Sequence, residues 1–151
     1  MNQVVVKQEK SGYQIVEAYK SLRTNLQFCG EDKKVIAITS CTPNEGKSSV
    51  SMQLGISLAE IGKRVILIDA DLRKSVLLGR TKTEKSVRGL AHFLSGQASL
   101  EDVICATNIK NFYMIYSGPF PPNPAELLGS RQFKDMIRVV RDVYDLSLIH
   151  I

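Results

Sequence analysis

The apolar positions along the chain change period several times, and each change predicts an element. Ile15, Ala18, Tyr19, Leu22 and Leu26 recur at helical spacing, which predicts an amphipathic helix up to about Phe28. The polar stretch CGEDKK ends it, and the run KVIAITS reads as a strand buried on both faces, because it is β-branched and continuously apolar. After Lys47, the stripe Val50, Leu54, Leu58 and Ile61 predicts a second helix, with Gly62 as its left-handed terminator. RVILIDAD is then a second buried strand. GLAHFLSG and SLEDVICAT read as short helices, the latter capped by Ser99, and NFYMIYSG reads as a third strand. PFPPNP is a rigid loop. Asn123 as cap and Pro124 in the first turn open a helical stretch, restarted at Ser130, whose Phe133, Ile137, Val140 and Tyr144 share a face.

Strand, helix and strand in so short a span predict a βαβ unit of an α/β domain with a mostly parallel sheet. The length of 151 residues and 44% hydrophobic content allow one domain with a real core. The apolar runs are too short to span a bilayer, and the amino terminus lacks signal-peptide order, so a cytoplasmic location is expected. Cys29, Cys41 and Cys105 are far apart, suggest neither a disulfide framework nor a zinc site, and read as buried or half-buried small residues. The net charge of +5 is partly local, with Arg73, Lys74, Arg80, Lys82, Lys85 and Arg88 opposed only by Glu84. Without interleaved aromatic residues this reads as a solvated surface, and no nucleic-acid partner is expected.

The chemistry concentrates in SCTPNEGKSS. A phosphate-binding loop needs inward backbone N–H groups, a helix amino terminus, a lysine, and a hydroxyl for magnesium. Gly46 permits the turn, Lys47 can neutralise the β- and γ-phosphates of ATP, and Ser48 can ligate Mg²⁺. Thr42, Pro43, Asn44, Glu45 and Ser49 complete the candidate cradle. The competing reading is a chance Gly-Lys-Ser. Its context argues otherwise, since the next strand ends in DAD and places Asp69 and Asp71 at the carboxyl edge of the sheet, where ligands bind in such folds.

Four stretches, EAYKSLRTNLQF, ITSCTPNEGKSS, VILIDADLRKS and SGPFPPNPAELL, resemble the bacterial tyrosine kinases of capsular and extracellular polysaccharide production, over most of residues 14–145. The resemblance implies a P-loop NTPase-like, three-layer αβα fold. It also implies an ATP- and Mg²⁺-dependent tyrosine autokinase, with Lys47 on the phosphates, and Ser48 and Asp71 at the metal. Asp69 and Asp71 would form the second acidic motif, one of them a candidate base for tyrosine, with Arg73 completing it. A helix over residues 14–28 would carry ring assembly of like subunits through Glu17, Lys20 and Arg23, where Lys20 replaces the family's arginine and cannot form its bidentate fork. A separate membrane adaptor would recruit the protein to the inner face of the membrane.

The family's third acidic strand, ending in Asp and followed by Thr-Pro-Pro, should begin just after VRDVYD. The chain instead ends LSLIHI, which matches the translation of a common sequencing-library adapter. Residues 146–151 are therefore expected to be a non-native tail after a kinase domain over residues 1–145 that is incomplete on its C-terminal side, inactive alone and exposing an apolar sheet edge. His92 and His150 are given no catalytic role, and the scattered tyrosines read as packing or surface residues. Two alternatives stand: a partitioning or positioning ATPase, which carries an extra lysine where this loop has Thr42, and a non-catalytic nucleotide-binding assembly module.

Overall fold

The computed structural model describes residues 1–8, 11–42, 45–83 and 86–151. Strands are β1 Asn2–Val6, β2 Val35–Ile38, β3 Val65–Asp69, β4 Thr81–Thr83, β5 Ile104–Thr107, β6 Phe112–Ile115 and β7 Leu146–His150. Helices are α1 Tyr13–Phe28, α2 Lys47–Glu60, α3 Leu90–Leu94, α4 Leu100–Val103, α5 Pro124–Leu128 and α6 Arg131–Val143, and a 3₁₀ turn spans Leu77–Arg80. The strands make one sheet in the order β2-β7-β3-β6-β5-β1-β4. Its first four are mutually parallel, β6/β5 and β1/β4 are antiparallel, and β5/β1 is parallel.

β3 shows why this is a three-layer domain. All five of its residues are buried. Val65 and Leu67 join the core under α2, while Ile66 and Ile68 join a second core formed with α3 and α6. Alternate side chains of one strand thus feed both layers, which requires the unbroken apolar run seen in the sequence. Of the stripe expected on α6, Val140 and the adjoining Tyr144 are buried and Phe133 and Ile137 half-buried, with Met136 buried beside them, and Ser130 accepts the Phe133 N–H at 3.3 Å as its cap.

Three expectations change. The segment ICAT is strand β5, not helix: the cap at Ser99 is real, with Asp102 N–H donating to its hydroxyl at 3.3 Å and Asp102 Oδ2 accepting from Ser99 N–H at 3.0 Å. Antiparallel pairing with β6 then ends α4 after Val103. The amino-terminal NQVVV, read as no element, is β1, with Val4 and Val6 in the core. Cys29 and Cys41 are exposed, and only Cys105 is buried, which pushes its thiol up to about 11.

The segment expected as a tail forms β7, hydrogen-bonded to both β2 and β3. The gap expected beside those strands is filled, leaving half-exposed β2 as the edge. Leu148 and Ile149 are buried on opposite faces, so the alternation is sufficient for a central strand. One position fits badly. Ser147 is fully buried between Val35 and Ile66, and its Oγ has no hydrogen-bond partner among the described residues. An unpaired buried hydroxyl costs about 1–3 kcal/mol. Ser147→Val should therefore raise the urea-unfolding free energy by about 1–2 kcal/mol, and an unchanged or lower value would show that the hydroxyl is paired in solution.

Candidate nucleotide site

β2 runs into the loop, and α2 leaves it. Gly46 sits at φ 81°, the left-handed conformation in which an L side chain is strained, and this turn points the start of α2 back along the sheet edge. Among the described residues no side chain caps α2. Its first N–H groups therefore face the loop without an intrahelical partner, at the positive end of the helix dipole. The loop is drawn together by Glu45, whose Oε2 accepts the Cys41 N–H at 3.1 Å. Hydrogen bonds from Thr42, its side chain foremost, hold the Glu45 carboxyl below its ordinary range. Ser40 Oγ donates to the Thr42 carbonyl at 3.0 Å. The expected cradle residues Pro43 and Asn44 lie outside the described residues.

A cleft of about 470 Å³ opens over this helix end, lined among others by Gly46, Lys47, Ser48, Asp71 and Arg73. The structure thus brings together residues far apart in sequence, with Ser49 on the same first turn of α2, half-buried. Lys47 Nζ donates to the Ile151 carbonyl. An ammonium has three donors, so two remain for another acceptor.

The two aspartates of DAD separate. Asp69 is fully buried at the end of β3, and both its oxygens are engaged: Oδ1 accepts the Asp71 N–H at 3.1 Å and lies 3.2 Å from His150 Nδ1, while Oδ2 accepts from the Ser75 hydroxyl. Asp71 is half-buried and lines the cleft, its Oδ1 accepting the N–H groups of Arg73 at 3.2 Å and Lys74 at 3.0 Å. Asp69 thus holds the turn that presents Asp71.

His150, given no catalytic role on the sequence because it lies in the expected tail, is in contact with the candidate site. It ends β7, pairs with Asp69 across the strands, and is 1% exposed. Its Nε2 lies 3.0 Å from Ser48 Oγ, so the ring bridges the loop serine and the buried aspartate. The available signal was its place at the end of an apolar run following VRDVYD, where the family's third acidic strand should end.

The other expected residues lie elsewhere. Glu17 and Lys20 pair with each other at 3.3 Å on the outer side of α1. Arg23 turns inward, donating to the Ser57 carbonyl at 2.9 Å, and so ties α1 to α2. Tyr113 and Tyr144 meet edge to face at 5.3 Å with Arg64 over the latter at 5.4 Å, and Tyr116 is buried against Thr81, its hydroxyl pushed up to about 12. These are packing roles. His92 accepts the Gly89 N–H at 3.0 Å beside Gly118. A side chain at Gly89 would meet the Gly118 nitrogen at 2.3 Å, so this contact seats α3 on the end of β6.

The family model for an AAA domain matches residues 33–151. Tyrosine-protein kinase CpsD of Streptococcus agalactiae is 43% identical over 133 residues, covering 88% of this chain and 58% of that protein. The kinase domain of Escherichia coli tyrosine kinase ETK has a TM-score of 0.81 at 34% identity, covering 89% of this chain and 53% of that one. The septum site-determining protein MinD of Pyrococcus horikoshii, solved with Mg-ADP, has a TM-score of 0.64 at 29% identity over 78% of this chain and 48% of that one. The chain thus spans little more than half the length of the relatives it matches. By the family match and these identities together, it belongs to the AAA domain family and, within it, to the bacterial protein-tyrosine kinases.

Proposed function

We propose that this chain is the nucleotide-binding part of a protein-tyrosine kinase that transfers the γ-phosphoryl group of ATP to tyrosines of a neighbouring subunit and thereby regulates capsular or extracellular polysaccharide production. The observation that carries the reading is the single cleft in which Lys47, Ser48, Asp71 and Arg73 face an uncapped helix amino terminus. Lys47 and the first N–H groups of α2 hold the phosphates. The tyrosine oxygen forms a bond to the γ-phosphorus as the bond to the β–γ bridging oxygen breaks. ADP leaves, and the hydroxyl proton passes to Asp71, whose Oδ1 is held by two N–H groups.

Among the described residues no cluster of three or more His, Cys, Asp or Glu can cage a metal ion by itself. The donor set suits Mg²⁺ bound mainly through phosphates and water, with Ser48 and Asp71 as the oxygen donors of this chain. Such an ion would neutralise charge developing on the phosphates. His150 does not suit it, because imidazole is a poor partner for a hard cation and here it occupies Ser48 Oγ. The proposed turnover of this chain alone is therefore low.

Self-association into a ring is proposed through α1, whose outer Glu17 and Lys20 are about half exposed and whose Tyr13 and Phe28 are 80% and 84% exposed. Arg23 would support that surface from within by holding α1 on α2. Recruitment by a separate adaptor chain belongs to the same proposal; among the described residues no helix is long and apolar enough to cross a membrane. The MinD likeness supports a partitioning-type ATPase as a second reading. Thr42, in place of that class's additional lysine, weighs against it.

Incubating the full-length protein with labelled ATP should yield phosphotyrosine that disappears in Lys47→Met. ATP hydrolysis without phosphotyrosine, even with the adaptor segment added, would refute the kinase reading. In the present chain, His150→Asp should free Ser48 and tighten Mg²⁺-dependent binding of a fluorescent ATP analogue by at least about tenfold, the scale of a charged hydrogen-bonding partner. Equal affinity with and without Mg²⁺ in that variant would show that the end of β7 does not serve the metal.

A further inference from the structure

The cleft does not end at the phosphate loop. Beyond Asp71 its wall is Arg73, Lys74, Val76 and Arg80, contributed by the turn after β3 and the 3₁₀ turn before β4. There is no acidic residue between Leu72 and Thr83. Among the described residues, Arg73, Lys74 and Arg80 are exposed and none pairs with a carboxylate. Lys7 reaches the same rim from the end of β1, its Nζ donating to the Gly79 carbonyl at 3.4 Å. Inside this wall stands one bare apolar side chain, Val76 at 56% exposure, and Leu78 on the adjoining 3₁₀ turn is 54% exposed.

Folding alone gives no reason to collect, around exposed apolar carbon, cations that make no ion pair among the described residues, since neighbouring like charges repel. The Asp71 carboxylate fixes the turn by accepting from Arg73 and Lys74 N–H groups, so the rim keeps a set position relative to Lys47. Resting on the kinase reading above, we infer that this rim selects the phosphoacceptor: it binds a peptide segment in which the tyrosine is flanked by glutamate or aspartate. Val76 receives the aromatic ring, and Lys74 and Arg80 receive the flanking carboxylates. The cleft walls contain no aromatic side chain on which a nucleic-acid base could stack. The rim is built on a four-residue 3₁₀ turn and not on an amphipathic helix of the sort that lies in a membrane surface.

The test is equilibrium binding to the full chain of a fluorescent peptide with one tyrosine among glutamates, and of the same peptide with glutamines, each in the presence of a non-hydrolysable ATP analogue. The acidic peptide should bind at least about tenfold more tightly, with an affinity that falls with salt. Lys74→Glu/Arg80→Glu should abolish that preference while nucleotide affinity, read separately, changes less than about twofold, since both side chains are exposed. Equal binding of the two peptides would overturn the inference, as would displacement of the acidic peptide by the nucleotide. Anionic vesicles or single-stranded DNA bound more tightly than the acidic peptide, and lost in the same double variant, would also overturn it and assign the rim to that partner. Nucleotide binding without peptide preference defeats this inference alone, whereas loss of nucleotide binding in the unsubstituted chain defeats the kinase reading.

Discussion

The left-handed turn at Gly46 is the constraint on which the site depends. It leaves α2 uncapped at the carboxyl edge of a parallel sheet, with the helix dipole and the first N–H groups facing one cleft. Any side chain at that φ would be strained by about 1–2 kcal/mol. A capping side chain would satisfy the same N–H groups and compete with a phosphate for them. The loop instead satisfies itself further back, where Glu45 closes onto Cys41 and Thr42. The proposed anion site is thus the part of the helix that no side chain caps among the described residues.

The sheet then decides which acidic group reaches that site. β3 is buried along its whole length, so Asp69 at its end is buried too and must be paired. Ser75, His150 and the Asp71 N–H supply those partners, and the resulting turn carries Asp71 and the basic rim outward. One buried carboxylate therefore positions one cleft-facing carboxylate, a division of labour that two aspartates in DAD do not reveal by themselves. His150 closes the same network from β7 by linking Asp69 to Ser48, the serine proposed above as a metal ligand.

Much of this was legible in the chain. Continuous apolar runs identify β3 and β6 because both faces are covered, and the α2 and α6 stripes follow from helical spacing. The run of β2 reads the same way, but β2 is the half-exposed edge strand. The candidate loop stands out in the chain because phosphate binding needs few side chains in a fixed order. What escaped was set by tertiary pairing. NQVVV alternates buried Val4 and Val6 with exposed Val5, too short a signal to distinguish from coil. Thr81–Thr83 is polar and becomes a strand only by pairing with β1. ICAT followed a sound helix cap and was overruled by β6. The insertion of β7 between β2 and β3 is set by topology, and the apolar run after VRDVYD signals a strand without showing which neighbours it pairs with or where His150 sits. The cluster of positive charge was visible as composition, but its position at the mouth of the cleft depends on the turn that Asp69 holds.

The most direct test of the central claim compares calorimetric binding of ATP, ADP and adenosine to the chain and to Gly46→Ala. The account predicts affinity in the order ATP, ADP, adenosine, with adenosine close to undetectable. Gly46→Ala should weaken ATP by about tenfold or more, as the strain of a left-handed alanine implies. Adenosine binding as tightly as ATP, or an unchanged ATP affinity in Gly46→Ala, would contradict the claim that the uncapped helix end grips the phosphates.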